Sequence, residues 1–399
     1  MNAPKLRFKE FKDEWQKYKV GEILKISNGI NKEKEFFGSG TPIINYMDVN
    51  KNELITHSIV RGLVIANSKE LKTYNVKKGD ILFTRTSETS DEIGLSSSVI
   101  ENIDKCIFSG FILKGTQTGN YIHPYFGGYY FRNPKMRKEI IKHSSITTRA
   151  LTSGSLLTQM LISIPSLNEQ EKIGKILLLL DKKIELQSKK IEDLKLFKSS
   201  QISSVIDSLK CDEIELREIG NFISGNAIGK EKIKESGVPI ILYGDLYTKY
   251  WEVIDKVEQY TEDNEKYIKS KKNDLLFPTS TTVDSISLIS PSSINIDDVI
   301  YGGDLIVFRA DYTRINSDFL SYQINHYKRK EFSKKAQGST IIHIHAEDLL
   351  SSKVKLPNIE IQNLISKTFN ILNKKIIKEE EKLNKLNNLK KGLMQSMFV

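Results

Sequence analysis

The sequence predicts an α+β chain that consists of two β-rich domains and two long coiled-coil helices, arranged as an internal repeat. Two observations lead to this prediction. A helical stretch with a regular apolar seam follows each of two β-rich regions of about 150 residues, and the two β-rich regions share short motifs in the same order.

The first helical stretch begins near Pro165 and continues to about Leu209. Its apolar residues recur at spacings of four, three, four, seven and three, which is the a/d seam of a coiled coil. At about 1.5 Å per residue, some 40 residues form a helix about 60 Å long. The seam consists of Ile173, Leu177, Leu180, Ile184, Ile191 and Leu194.

The second helical stretch starts 192 positions later, at Pro357, and aligns with the first without a gap as far as Ser204 and Ser396. Asn168 and Asn358 follow the two prolines, and both are predicted N-caps. Because both helices belong to one chain, their effective concentration favours pairing within the molecule. The second seam consists of Ile365, Phe369, Leu372, Ile376, Leu383 and Leu386.

The β-rich regions repeat three motifs. The segment from Gly40 to Asp48 matches residues 237–245, the strand from Asp80 to Phe83 matches residues 274–277, and Gly110 matches Gly303. Short apolar runs separated by Gly, Asn and Asp are typical of strands and turns. We therefore divide the chain into a first β-rich domain (1–164), a central helix (165–210), a second β-rich domain (211–356) and a C-terminal helix (357–399).

Composition limits the classes of function. The 399 residues carry a formal net charge of +10, which permits a polyanionic partner such as nucleic acid. Cys106 and Cys211 are single and widely spaced, so no disulfide framework is predicted. The N-terminal residues lack an apolar signal region and no run of 18 apolar residues occurs, so we expect a cytoplasmic protein with no membrane partner.

Three features together resemble the DNA-specificity (S) subunit of type I restriction–modification systems. They are the repeated Gly-x-Pro-Ile-Ile segment, the GDILF strand from Gly79 to Phe83, and the IPSLNEQEKIGKILLLLDKKIE segment that closes the first β-rich domain. The last is the most specific, because a Pro-led helix start recurs after each β-rich domain. The resemblance covers nearly the whole chain.

The resemblance implies a fold and a function. Each β-rich domain would be a target-recognition domain, and the two domains would be separated and joined by helices that pack antiparallel about a pseudo-twofold axis. Each domain would read one half of a split, asymmetric site in double-stranded DNA. The family's S subunit also binds two methyltransferase (modification) subunits and two restriction (translocase–nuclease) subunits. S-adenosylmethionine, ATP and Mg belong to those partners, and no cofactor is expected in this chain.

The sequence contains no catalytic motif that we identify. Asn133-Pro134-Lys135 does not fit the loop with which an adenine methyltransferase holds a flipped base, and residues 225–230 are one residue short of a phosphate-binding loop. His343 and His345 lack the further ligands of a metal site. Two alternatives stay open: a fused adenine methyltransferase or nuclease with unrecognised motifs, and a coiled-coil adaptor that does not bind DNA.

Polar residues in loops that follow strands are the predicted DNA contacts, because Arg, Lys, Ser, Thr and His side chains bind bases and phosphates. In the first domain they are Lys32, Lys34, Arg85, Thr86, Ser87, Thr147, Thr148 and Arg149. In the second they are Lys230, Lys232, Thr279, Ser280, Thr281, Thr282, Ser339, Thr340 and His343. These loops differ between the domains, so the two half-sites should differ.

Polar residues near the helix starts are predicted to lie on the outer face of the helices and to dock the methyltransferase subunits. They are Glu169, Gln170, Lys182, Gln362 and Lys374.

Overall fold

The structure, a computed structural model, describes residues 4–146 and 149–399. The chain divides into two compact units, which we call unit 1 (residues 1–188 and 382–399) and unit 2 (residues 189–381). Each unit contains one β-rich region and part of each long helix. The units divide both long helices, so they do not test the four segments predicted from the sequence. That division stays a prediction. Every helix in the described ranges is too short or too polar to cross a membrane.

Short strands and short helices make up most of unit 1. The strands are β1 (Gln16–Lys19), β2 (Leu24–Asn28), β3 (Phe37–Ile44), β4 (Leu54–Ile55), β5 (Gly62–Val64), β6 (Ile81–Thr84), β7 (Thr86–Ser87), β8 (Ser96–Val99), β9 (Ile107–Phe108), β10 (Ile112–Gln117), β11 (Ser145–Ile146), β12 (Ala150–Leu151) and β13 (Leu161–Ile164). The helices are α1 (Val20–Ile23), α2 (Tyr46–Lys51), α3 (Ser68–Thr73), α4 (Pro124–Tyr130), α5 (Pro134–Lys142), α6 (Gly154–Thr158) and the first half of α7 (Leu167–Ser208).

A five-stranded sheet with the order β2-β10-β6-β8-β4 forms the centre of unit 1. Its strands are antiparallel except for β4 and β8, which run parallel. The β6 strand is buried along its whole length because both of its faces are covered. Ile81 and Phe83 pack on the side of α4, and Leu82 packs on the side of α2. This explains why the three residues after Asp80 are all apolar and do not alternate with polar residues.

Unit 2 is built from the same succession of elements. Its strands are β14 (Glu213–Glu215), β15 (Gly220–Ser224), β16 (Val238–Ile241), β17 (Val253–Ile254), β18 (Tyr260–Thr261), β19 (Asp274–Pro278), β20 (Ser280–Thr281), β21 (Ser292–Ile294), β22 (Ile300–Tyr301), β23 (Leu305–Ala310), β24 (Ile342–His343) and β25 (Lys353–Lys355). Its helices are α8 (Asp245–Thr248), α9 (Ser285–Leu288), α10 (Ser317–Gln323), α11 (Arg329–Ser333), α12 (Ala346–Leu350) and the first part of α13 (Ile359–Ser396).

The central sheet of unit 2 has the order β15-β23-β19-β21-β17, which reproduces the sheet of unit 1 strand by strand. The parallel pair recurs in the equivalent place, between β17 and β21. The predicted internal repeat and the α+β class are therefore confirmed at the level of topology.

The two long helices are α7 and α13, and they pair antiparallel in both units. In unit 2, Lys190 contacts Glu379 and Lys198 contacts Asn373; in unit 1, Lys390 contacts Asp181. From Lys190 to Lys198 along α7, the contact on α13 moves back from Glu379 to Asn373, as antiparallel packing requires. Most of the predicted seam is buried or half-buried.

The two predicted N-caps have different outcomes. The side chain of Asn358 accepts a hydrogen bond from the backbone N–H of Ile361 (3.0 Å), which confirms it as the N-cap of α13. The prediction for Asn168 is wrong, because α7 already begins at Leu167 and the backbone N–H of Gln170 donates to Ser166 O.

A buried glutamine near the start of each long helix fixes that helix to its β-rich region. In unit 1, Gln170 accepts from the backbone N–H of His123 (2.8 Å) and donates to Tyr121 O and Pro165 O. In unit 2, Gln362 accepts from the N–H of Asn316 and donates to Arg314 O and Pro357 O. Both side chains are fully buried.

In each unit, a lysine on one long helix ties both helices to the β-rich region. In unit 2, Lys198 of α7 donates to Glu252 (2.7 Å) and to Asn373 of α13 (2.7 Å), and Asn373 donates to Tyr322 Oη. His326 also contacts Glu252 at 2.6 Å. Burial alone would raise the pKa of Glu252, but the bonds with His326 and Lys198 outweigh it, so that the pKa lies well below its usual range.

The counterpart in unit 1 is built from residues at equivalent positions. Lys390 of α13 contacts Glu53 (2.9 Å) and Asp181 of α7 (2.7 Å), and Tyr129 Oη donates to Asp181 (2.7 Å). Lys390 is more exposed than Lys198, with 22% of its side chain accessible against 6%. We call these two groups the lysine networks.

We expect Glu252→Gln to lower the free energy of unfolding by about 3 kcal/mol, because it leaves the Lys198 ammonium buried without a counter-charge. The matched variant Glu53→Gln should cost about 1–2 kcal/mol, since Lys390 keeps Asp181 and is partly solvated. Denaturant unfolding of the purified chain measures both values. Equal losses would show that burial of the lysine does not set the cost.

The lowered pKa of Glu252 predicts how the stability of the Glu252→Gln variant depends on pH. The stabilisation by the ionised carboxylate is present above the unfolded carboxylate pKa of about 4.3, and it is lost as the pH falls towards the lower folded value. Glu252→Gln should therefore lose less stability than the wild type when the pH is lowered from 5 to 3, as measured by melting temperature.

Candidate nucleic-acid interface

The predicted DNA contacts of unit 2 meet at one end of its central sheet. There β15 and β19 end, and β23 begins, because Ser224 pairs with Ile306 and Pro278 with Leu305. Beyond this end, β20 pairs with β24, so that Ser280 lies opposite His343. The structure thus brings the Thr279–Thr282 loop and the segment that carries Ser339, Thr340 and His343 together.

The loop that carries Lys230 and Lys232 reaches the same end of the sheet. The backbone N–H of Gly303 donates to Ile228 O (3.0 Å), which places this loop beside the turn that leads into β23. Two clefts of about 240 and 360 Å³ open on either side of the turn, and Asp304 lines both. Lys230 lines the first cleft, and Thr279 and His343 line the second.

Unit 1 presents its predicted contacts at the equivalent end. Arg85 follows β6, and Thr86 pairs with Leu151 across β7 and β12. The N–H of Gly110 donates to Ile30 O (2.7 Å), which brings the loop with Lys32 and Lys34 to the same place. Thr147 and Thr148 lie outside the described residues.

The predicted contacts differ in how far their side chains reach the surface. The exposed ones are Lys34, Arg149, Lys230, Lys232, Thr282, Ser339, Thr340 and His343. The half-buried ones are Lys32, Arg85, Thr86, Thr279, Ser280 and Thr281. Ser87 is buried, and its hydroxyl accepts from the N–H of Thr89 within its own loop. Its hydroxyl is therefore directed into the loop, and its contact with DNA stays a prediction.

Two of the cations already have carboxylate partners. Lys32 contacts Glu70 at 2.8 Å and lies over the Phe36 ring, with only 14% of its side chain accessible. Arg149 contacts Glu88 at 3.0 Å, but both side chains are more than two-thirds exposed. An exposed ion pair contributes about 0–1 kcal/mol, so Arg149 can exchange Glu88 for a phosphate at little cost.

The aspartates at the two strand starts have structural roles. Asp80 is buried and accepts from the N–H of Lys77, and burial raises its pKa against the opposing effect of that bond and of Lys114. Asp274 is buried and binds Arg309 (2.7 Å) and Tyr301 Oη (2.8 Å). Among the described residues, no group of three or more His, Cys, Asp or Glu is arranged to hold a metal ion.

The residues predicted to dock a partner divide into two groups. Lys182 and Lys374 are exposed, as an outer-face position requires. The outer-face assignment is wrong for the other three: Gln170 and Gln362 are buried in the contacts described above, and Glu169 is buried beneath Arg7, which it binds at 2.8 Å. Docking by the two lysines stays a prediction.

Sequence reasoning passed over the residue that follows the repeated glycine. This residue is Phe111 in unit 1 and Asp304 in unit 2, and both are exposed within the loops just described. The sequence contains one signal for this position. When Gly110 is aligned with Gly303, the apolar Phe111 falls opposite the charged Asp304.

A family profile matches the two repeats separately. The profile of the type I restriction modification DNA specificity domain covers residues 12–196 and again residues 209–388. The chain belongs to this family. A relative along nearly the whole chain is the type I restriction enzyme MjaVIII specificity subunit of Methanocaldococcus jannaschii, which is 22% identical over 97% of this chain and 92% of its own length.

Solved structures of the same family share the fold. The S subunit of a type I restriction–modification system from M. genitalium superposes with a TM-score of 0.63 at 16% identity, over 100% of this chain and 99% of the other. A chain from a study of complex assembly and conformational transition of a type I R-M system gives a TM-score of 0.56 at 17% identity, over 95% and 96%. These matches confirm the fold class predicted from the sequence.

We expect Arg85→Ala to weaken binding to one half-site by about 1–3 kcal/mol, the value of a bidentate contact between arginine and a base. Among the described residues Arg85 has no carboxylate partner. Its Nη1 donates a long hydrogen bond to Gly110 O (3.5 Å), and the other guanidinium donors remain for a base. Competition binding with duplexes altered in one half at a time measures the loss.

The matched control is Arg217→Ala. Arg217 precedes β15, whereas the contact loops follow that strand, so it lies at the opposite end of the sheet. An equal loss at both halves for Arg85→Ala, or an equal effect of the control, would contradict the assignment of Arg85.

Proposed function

We propose that this chain is a non-catalytic, sequence-specific DNA-binding subunit that reads a bipartite, asymmetric site in double-stranded DNA. The observation that carries the proposal is the repeated loop cluster. The same strand ends in two topologically equivalent sheets present loops rich in Lys, Arg, Ser and Thr, and the side chains differ between the units. Two loop clusters that stand on equivalent sheets but carry different side chains suit the reading of two different half-sites.

The partners follow from the same proposal. The chain would scaffold two methyltransferase subunits and two restriction (translocase–nuclease) subunits, and S-adenosylmethionine, ATP and Mg would bind to those subunits. The family membership and the relative named a specificity subunit support this role. Exposed Lys182 and Lys374, at equivalent places on α7 and α13, are the docking candidates that the burial pattern leaves. Action on cellular DNA would place the protein in the cytoplasm.

The decisive test is the pattern of methylation in a host that lacks adenine methylation. We expect co-expression of this chain with its methyltransferase subunit to produce N6-methyladenine in a split, asymmetric motif, and omission of this chain to abolish it. Sequencing that detects modified bases measures both. Methylation by this chain alone would support the enzyme alternative. A soluble complex of both proteins that neither binds DNA nor methylates it would support the adaptor alternative.

The helix pair gives a second test, because we propose that its length sets the number of base pairs between the half-sites. Insertion of one heptad between Leu180 and Leu194 lengthens α7 but not α13. We expect either a shift of the spacing by about three base pairs, since a heptad rises about 10.5 Å and a base pair about 3.4 Å, or a loss of folding stability. Methylation motifs and melting temperature report the two results. Unchanged spacing with unchanged stability would contradict the role of the helices.

A further inference from the structure

In both units the repeated glycine donates a backbone hydrogen bond to the loop that carries the lysines. In unit 1 the turn lies between β9 and β10, where the N–H of Gly110 donates to Ile30 O (2.7 Å). In unit 2 it lies between β22 and β23, where the N–H of Gly303 donates to Ile228 O (3.0 Å). Each turn is therefore tied to the loop that carries the lysines of its unit.

The next residue of each turn is bound on its other side by the predicted reading loop. The carbonyl of Phe111 accepts from the N–H of Arg85 (2.9 Å), and the carbonyl of Asp304 accepts from the N–H of Thr279 (3.0 Å). Arg85 O and Thr279 O in turn accept from Thr152 and Ile344, both at 3.0 Å. Phe111 and Asp304 thus occupy one structural position, beside the residue that follows the DILF or DLLF strand.

The side chain of Phe111 is 62% exposed, which is a high value for a phenylalanine in a short turn. It does not stand alone, because the neighbouring strands expose Leu151 and Ile146 as well. An apolar side chain of this size, placed between the backbone of Arg85 and the lysine loop, lies where the predicted DNA contacts of unit 1 converge.

Asp304 has a different character at the same position. Its carboxylate is exposed and has no hydrogen-bond or ion-pair partner among the described residues. Its φ of +56° lies in the left-handed region, which aspartate and asparagine adopt more readily than other non-glycine residues. On a surface that faces DNA, phosphates repel a carboxylate, so its favourable partner there is an amino group on a base edge.

We propose that this turn is a base-reading position in both units, with Phe111 packed against the C5 methyl group of a thymine and Asp304 accepting a hydrogen bond from the amino group of a cytosine. The inference rests on the proposed DNA-reading function and assigns it two residues. Apolar contact with the thymine methyl and acceptance from cytosine N4 are the major-groove contacts that these two side-chain types make.

Phe111 is tested with the complex of this chain and its methyltransferase subunit, on duplexes that carry the wild-type methylation motif. Each thymine of the half-site read by unit 1 is replaced in turn by uracil, which removes only the methyl group. We expect one replacement to weaken wild-type binding about fourfold, the value of one buried methyl group. Phe111→Ala should bind less tightly and should not respond to that replacement.

Tyr312→Ala is the matched control. Tyr312 is 78% exposed and follows β23, whereas the turn of unit 2 precedes that strand, some 20 Å away along six residues. This variant should keep the wild-type response to uracil. Absence of any sensitive thymine in the wild type, or an unchanged response in Phe111→Ala, would overturn the assignment of Phe111.

Asp304 is tested with Asp304→Asn, because asparagine tolerates the left-handed backbone and prefers adenine to cytosine. We expect the methylation motif to change from cytosine to adenine at one position of the half-site read by unit 2. Asp304→Gly, which keeps the backbone and removes the side chain, should make that position degenerate. Asp298→Asn is the control, because Asp298 is exposed and has a φ of +63° in another loop.

The results separate this inference from the function on which it rests. A wild-type complex with a split motif, together with unchanged motifs in both Asp304 variants, would overturn the inference for unit 2 and leave the DNA-reading function standing. A wild-type complex that binds DNA without sequence preference would overturn both.

Discussion

The architecture depends on the ion pairs made by the ammonium groups of Lys198, which is buried, and Lys390, which is half-buried. Each joins three parts of the chain: the start of a sheet strand, through Glu252 or Glu53, and the two long helices. A lysine that is removed from water needs a carboxylate nearby, so the β-rich region and the helix pair can pack only in the register that supplies it. Gln170 and Gln362, at the starts of the two helices, fix the same register through their hydrogen bonds to the backbone of the β-rich regions.

The two lysine networks contain different charged residues. In unit 1, Lys390 and Arg132 face Glu53 and Asp181. In unit 2, asparagines stand in the equivalent places of the arginine and the aspartate: Asn325 corresponds to Arg132 and Asn373 to Asp181. The buried ion pair of Lys198 and Glu252 remains, and His326 contacts the same carboxylate.

The part of the fold that depends on apolar periodicity could be predicted from the sequence. The seam of α7 and α13, the repeated β-rich regions and the cap at Asn358 are local patterns, and the structure contains them. The positions of polar residues could not be predicted in this way. Gln170 is buried because His123, 47 residues away, needs an acceptor for its N–H, and Glu169 is buried because Arg7 covers it. Periodicity along one helix contains no information about such partners.

The candidate site likewise contains residues that the sequence could predict and residues that it could not. The loops after the DILF and DLLF strands are predictable because they are polar and follow strong strand signals. Ser87 is among the predicted contacts although its hydroxyl is used inside the loop, because composition does not reveal the direction of a side chain. Phe111 is not among them, because an apolar residue in a sequence is normally assigned to the core. Only the matched backbone bonds of the two turns identify it with Asp304.

Main-chain bonds tie both turns to their neighbours, through the carbonyls of Ile30 and Ile228 and the amides of Arg85 and Thr279. Main-chain bonds do not depend on which side chain is present. The side chains of this surface can therefore change through mutation while the main-chain bonds keep the shape of the loops. If the proposed function holds, the chain could acquire a new target sequence in this way without first losing its fold.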